Sequence, residues 1–293
     1  MTRRKSHILT RTIAMLLLSA IAVSLGGCSP LISIQETDPP QEHVELSLCD
    51  QAWTKAHRAE QFMADPLFSR AAGSRTIEPL AASHAWSEVA VNCPTRLEEA
   101  VTRSALALTQ ANTRQAVTQP YEMTADVLPS LASTASVMSV DELVTAAKAE
   151  DEAGFATTVL AGRNSSASNF LLQTADHHHT AAQTFALTLS GSNDPRQGVY
   201  SVEELLRAPQ VTVDPSTQLQ APTPAIVEIN CARSLLKVTN DFSISHAAAH
   251  QSGEGRLKAG LTALTQLAIA HVYTAFLLGY PTFDQALFQS LNQ

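Results

Sequence analysis

Four ionisable side chains stand on apolar helical stripes in the second half of the chain, and carboxylates paired with imidazoles are the material of divalent-metal sites. At about 100° per residue, Asp151 falls near the centre of the stripe formed by Val144, Ala147, Gly154 and Thr158. His178 sits in the middle of Leu171, Ala175, Ala182, Phe185 and Leu189. Glu228 falls between Ala225 and Leu235, one turn before Cys231, and His271 shares a face with Leu257, Leu261, Leu264, Ala268 and Ala275. Two carboxylates and two imidazoles would hold one zinc, manganese or iron ion if all four met at one level. Glu228 lies about one turn from the start of its helix, whereas Asp151 and His178 lie mid-helix, which points to a split set. A second reading gives these residues a structural task, since isolated buried polar side chains hydrogen-bond to one another and fix helix register. The sequence favours that reading, so the expectation is no cofactor, with one divalent metal ion as the alternative.

Other polar groups offer less. His177, His178 and His179 are consecutive, so their side chains diverge by about 100° each and cannot converge on one ion from a single helix. His84 with Trp86 and Glu88, and His246 with His250, have the spacing of solvated or half-buried helix faces. The chain has no Gly-x-Ser-x-Gly elbow, no nucleotide-type glycine motif and no distinct Ser/His/Asp set. On this reading there is no catalytic constellation, and the protein is not an enzyme.

The elements that must carry these side chains are helices. Apolar positions at mixed three- and four-residue steps predict helices over 45–65, 78–91 and 94–116, the last opened by Pro94 with Glu98 and Glu99 in its first turns. Residues 118–137, with Pro120 and Pro129, read as a connection. Ser139-Val140-Asp141-Glu142 has the form of a capping box and opens a helix to about Arg163. A further helix runs from about Ala167 to Leu189 and stops before Gly191. Residues 191–223 contain Pro195, Pro209, Pro215 and Pro222, with a short helix at Ser201–Glu204. A connection of that length makes sense when the chain must cross a whole bundle before the next helix starts. Helices over 224–244 and 254–279 complete the set. The fold class is therefore all-α: a ferritin-like four-helix bundle with one long crossover over 137–293, preceded by a smaller N-terminal helical region over 46–130.

Ala149-Glu150 with Phe155 in the first bundle helix, the histidines at 177–179, Tyr200 in the crossover and the alanine-rich last helix resemble an actinobacterial domain of unknown function in the ferritin-like superfamily, found in secreted proteins and lipoproteins. The resemblance covers residues 141–288, about half the chain. It favours Glu150 as the inward acid of the first helix, where the wheel favours Asp151. Di-iron members of such bundles use Glu-x-x-His from two helices, and this chain has none there. The inward pair at that spacing is Ala175 with His178, so the bundle reads as one that has lost its di-iron ligands.

At the other end of the chain, Arg3, Arg4, Lys5 and Arg11 precede an apolar run from Ile13 to Val23, followed by Leu25-Gly26-Gly27-Cys28. This is the order of a secretion signal over residues 1–27, and its last four residues resemble a lipobox, in which Cys28 is acylated, palmitate being one such chain. Residues 28–45 then read as a polar tether. The apolar run is too short to span a bilayer, and the apolar stretch from Leu257 to Leu278 is interrupted by Lys258, Thr262, Gln266 and His271, which suits a buried bundle helix. The net charge of −8 becomes four more negative once the leader is removed, which argues against nucleic-acid and anionic-lipid partners. In an oxidising compartment Cys49 and Cys93 form the preferred disulfide, leaving Cys231 as a spare thiol. The expected protein is a lipid-anchored module on the extracytoplasmic face of the cell membrane, its helical bundle serving as a scaffold that binds an envelope protein. A metal-binding lipoprotein is the alternative.

Overall fold

The capping box forms: Ser139 Oγ accepts from Glu142 N at 3.3 Å, and Glu142 Oε2 accepts from Ser139 N at 2.8 Å. Glu142 Oε1 also accepts from Ser245 Oγ at 3.0 Å, so the same acid that starts one helix fastens it to another. The computed structural model describes residues 45–64, 74–112, 127–247 and 254–281. The expected leader, Cys28, most of the expected tether and His250 lie outside the described residues.

The described residues from Glu45 onward form one compact unit. Its bundle helices are α5 (Val140–Ala161), α6 (Ser168–Ala186), α8 (Thr223–Ala247) and α9 (Glu254–Leu277), ahead of which come α1 (Leu48–Ala64), α2 (Ser74–Asn92), α3 (Leu97–Asn112) and α4 (Val127–Ala135). The bundle is two tight pairs, α5 with α6 and α8 with α9, joined face to face through α5 and α8. This is an all-helical, ferritin-like four-helix arrangement with one crossover, preceded by a smaller N-terminal helical region. Small residues permit the close approaches. A Cβ on Gly154 would come within 2.9 Å of the His179 ring and 3.1 Å of His178 Cβ, and one on Gly260 within 2.8 Å of the Phe242 ring.

The N-terminal helices close on α9. α1 packs on α2 and α2 on α3, while α3 and α4 both lie against α9. Cys49 at the start of α1 is disulfide-bonded to Cys93 after α2, and Trp53 meets Trp86 edge to face at 5.3 Å. Arg96 lies over the Trp53 ring at 3.8 Å and Arg103 over Trp86 at 4.7 Å. Enclosed in this way, Gly255–Leu277 is long and apolar enough to cross a membrane, yet 78% of its most apolar stretch is buried inside the protein.

Two features differ from the sequence reading. The segment 118–137, whose sequence reads as a plain connection, contains α4, which buries Leu131, Thr134 and Ala135. The crossover holds, besides α7 (Glu203–Arg207), a two-stranded antiparallel hairpin of β1 (Val211–Val213) and β2 (Gln220–Pro222). Strands of three residues fall below what alternation can reveal. The crossover is tied down by two acids: Asp151 accepts from Tyr200 Oη at 2.6 Å, and the buried Asp214 accepts from Tyr280 Oη at 2.5 Å and Arg233 at 2.8 Å.

Candidate metal centre

Each bundle helix sends one ionisable side chain to a common point in the core: Glu150 from α5, His178 from α6, Glu228 from α8 and His271 from α9. Glu150, His178 and Glu228 are fully buried, and His271 is 6% exposed. They close a ring. His178 Nδ1 lies 2.7 Å from Glu150 Oε2 and its Nε2 2.9 Å from Glu228 Oε1. His271 Nδ1 lies 2.9 Å from Glu228 Oε2 and its Nε2 3.0 Å from Glu150 Oε1. The two imidazoles stack, centroids 4.5 Å apart and planes within 5°.

The set is not split. Glu228 sits near the start of α8, but the crossover brings that end of α8 to the middle of α6, and all four side chains share one level. Asp151 is not among them. It is half-buried on the neighbouring face of α5, holds Tyr200, and stands 3.9 Å from His179 Nδ1. Glu150 takes the inward position, as the family resemblance implied and the wheel did not. His177 is half-buried and His179 exposed, so the three consecutive histidines diverge as their spacing requires. His84 pairs with Glu88 on the surface at 3.3 Å, and His246 faces the carbonyls of Phe242 and Val137.

Cys231, a spare thiol by its sequence context, belongs to this cluster. It follows Glu228 by one turn, is buried and unbonded to another cysteine, and places Sγ 4.0 Å from His178 Nδ1. Donor atoms of Glu150, His178, Cys231 and His271 all lie within 4.8 Å of one another. The i,i+3 spacing of Glu228 and Cys231 on a buried stripe was the available signal. The expectations of no cofactor and of no chemical constellation are corrected by this cluster: two imidazoles, a carboxylate and a thiol within reach of one point are a plausible metal or catalytic constellation.

The electrostatics follow from the pairing. Burial alone would raise Glu150 and Glu228, but the two histidines beside each outweigh it and hold both at about 2. Burial would lower the histidines, and the two carboxylates reverse this, lifting His178 above its usual value and His271 to about 10. With every ring nitrogen facing an ionised carboxylate oxygen, both imidazoles carry both protons, and two negative and two positive charges cancel. Cys231, buried beside the same carboxylates, is pushed well above the usual thiol range and is a neutral thiol in the metal-free protein.

The ring also has two sides. Glu150 and Cys231 face His178 Nδ1, and Glu150 faces His271 Nε2, so these four donors gather on one side. Glu228 holds the opposite nitrogens of both rings. That division is the one by which metal-binding histidines are oriented, each giving its far N–H to a carboxylate. Ligands around a tetrahedral zinc ion stand roughly 3.3 to 3.8 Å apart. Glu150 already stands 2.7 and 3.0 Å from the two histidine nitrogens and would draw back slightly from them around such an ion, whereas the widest donor pairs, up to 4.8 Å apart, would close by about 1 Å. No protein-family profile, curated protein or solved structure matches the chain, so what the cluster does rests on its own geometry.

Proposed function

We propose that the protein binds one divalent metal ion of the zinc class in its bundle core, and that it captures or buffers that ion at the outer face of the cell membrane, held there by a lipid on Cys28. Glu150, His178, Cys231 and His271 supply the donors, and Glu228 orients both imidazoles from behind. The observation that carries the reading is the convergence of these four donor atoms within 4.8 Å in a buried site. The donor set bears on the ion. A thiolate and two imidazoles suit zinc or cobalt better than magnesium or calcium, which prefer oxygen. Binding displaces one proton each from His178 Nδ1, His271 Nε2 and Cys231 Sγ, the far N–H groups staying on Glu228. The acylated position is supported by Arg3, Arg4, Lys5 and Arg11 ahead of an apolar run that ends at Leu25-Gly26-Gly27-Cys28.

Metal analysis of the protein without a histidine tag tests the reading. One equivalent of zinc or cobalt is expected on titration of the chelator-treated protein, and cobalt should show a near-ultraviolet thiolate charge-transfer band that Cys231→Ser removes. His178→Ala should abolish stoichiometric binding while circular dichroism stays helical. A folded wild-type chain that takes up no zinc, cobalt, manganese or iron sinks the proposal. Mass spectrometry of the mature N-terminus in the wild type and Cys28→Ala tests the anchor separately.

A further inference from the structure

A cleft of about 560 Å³ opens between α1, α2 and α9, and none of the core donors lines it. Its volume is that of a small-molecule site. The wall made by α1 and α2 is fixed before any ligand arrives. The Cys49–Cys93 disulfide joins the two helices beside Leu48 and Asn92, and Lys55 reaches across to both oxygens of Glu88 at 2.7 and 2.8 Å. Three polar side chains of this wall are tied to the backbone through their donors. Gln51 Nε2 donates to the Leu46 carbonyl at 2.7 Å, Asn92 Nδ2 to that of Glu88 at 2.7 Å and Ser87 Oγ to that of His84 at 2.8 Å. Each keeps an oxygen with lone pairs to offer. The α9 wall differs. Lys258 is exposed and, among the described residues, has no carboxylate in ion-pair distance, and the half-buried Gln266 has no hydrogen-bond partner for its amide. Glu88, the one carboxylate among the residues lining the cleft, is already held by Lys55 and stands 3.3 Å from His84. Lys55 and Lys258 outnumber it, so the cleft is positive in a chain whose net charge is −8.

We propose that this cleft binds a short peptide with free termini, its ammonium on the oxygens of the α1–α2 wall and its carboxylate on Lys258. An ammonium carries three donors and no acceptor, and the oxygens of Gln51, Ser87 and Asn92 match it in number and kind. A carboxylate only accepts, and Lys258 meets it with a charge that no other group claims. Gln266, which both donates and accepts, suits a peptide amide between the two ends. Leu48, Ala52 and Val91 give small side chains an apolar contact. A simple anion would leave the three acceptors unmatched, and a neutral sugar would leave the charge of Lys258 unused. Because the α1–α2 wall is held by a disulfide and an ion pair, less freedom is lost when a peptide settles on it.

Isothermal titration calorimetry with tri-alanine tests the proposal, alongside N-acetyl-tri-alanine, which lacks the ammonium, and tri-alaninamide, which lacks the carboxylate. The full chain is used after chelator treatment, so the result does not depend on the metal-binding reading. Tri-alanine is expected to bind with a dissociation constant below about 1 mM, and blocking either end should weaken it by about tenfold or more. Lys258→Ala should bring the acid and the amide within about twofold of each other, and Asn92→Ala should narrow the gap between the free and acetylated forms. Lys237→Ala, whose ammonium pairs with Asp241 at 2.7 Å on α8, should change nothing. Circular dichroism of each variant separates lost binding from lost fold. Tri-alanine that does not saturate overturns the proposal, as do blocked peptides that bind as tightly as the free one. A Lys258→Ala chain that keeps the full preference for the acid overturns it too, and so does binding of maltose or acetate in place of the peptide.

Discussion

The ring of Glu150, His178, Glu228 and His271 is neutral as a unit and satisfied atom by atom, and its pH behaviour follows. Glu150 and Glu228 ionise at about 2 in the folded chain against an ordinary 4.5. Their contribution to stability is therefore complete above about 4.5 and is lost as pH falls toward 2. His271 is raised from 6.5 to about 10, so its contribution is complete below 6.5 and is lost as pH rises through 10. Thermal melting in the presence of chelator should accordingly be highest between about pH 4.5 and 6.5 and fall toward pH 9. Metal affinity must run the other way, because protons compete for His178, His271 and Cys231. The zinc-induced rise in melting temperature should be larger at pH 8 than at pH 5.5, and a rise that does not grow with pH would remove these residues from the ligand set. Glu150→Gln leaves buried imidazolium charge without its partner, a change costing about 3 to 5 kcal/mol. Chelator-treated Glu150→Gln should melt roughly 10 °C lower.

At the scale of the helix, α5 shows both what could be read and what could not. Beyond the capping Glu142, its buried positions are Leu143, Ala146, Ala147, Glu150, Ala153, Gly154, Thr157, Leu160 and Ala161, a continuous three- and four-residue rhythm in which Glu150 has its place. Taking Val144 and Thr158 as face markers rotates the stripe by one residue and selects Asp151. Val144 is only half-buried and Thr158 exposed, and an alanine-rich helix packed on several sides gives weak contrast between neighbouring residues. The faces of α6, α8 and α9 carry larger side chains, and His178, Glu228 and His271 lie on the stripes those side chains define. α4 and the crossover hairpin were illegible for a different reason: nine residues and two strands of three are too short for periodicity to separate from a loop. Gly154 gives this scale its test. Gly154→Ala must push α6 outward by a few tenths of an ångström at His178 Cβ, since the His179 ring can swing away and the α6 backbone cannot. The expected cost is about 1 to 3 kcal/mol in chemical denaturation, together with at least tenfold weaker zinc binding from the displaced imidazole. Stability lost with zinc affinity intact would show that the ring tolerates the shift.

Across the whole molecule, the boundary that composition draws between the N-terminal helices and the bundle is not a boundary in the core. One cluster of buried apolar side chains runs from Ala52 and Trp86 through Val101 and Leu131 to Phe185, Leu235, Leu264 and Tyr280. No local pattern could show this, because α3 and α4 meet α9 only after the chain has travelled most of its length. The scarcity of polar residues in α9 after Gln266 was the one available hint. Both tryptophans of the chain lie in the N-terminal helices, at Trp53 and Trp86, whereas the metal donors all lie in the bundle. Indole fluorescence therefore reports one region and ligand binding acts on the other. If the core is continuous in energy as well as in space, tryptophan fluorescence and far-ultraviolet circular dichroism should unfold in a single coincident transition. Zinc at about 1,000 times its dissociation constant adds about 4 kcal/mol to whatever unfolds with the site, so the fluorescence transition should move up with it. The Cys49–Cys93 disulfide closes a loop across 44 positions, and its reduction should lower that shared transition by about 2 to 4 kcal/mol. A fluorescence transition that zinc leaves in place would mean that α1 and α2 melt independently, and that the site is supported by the bundle helices alone.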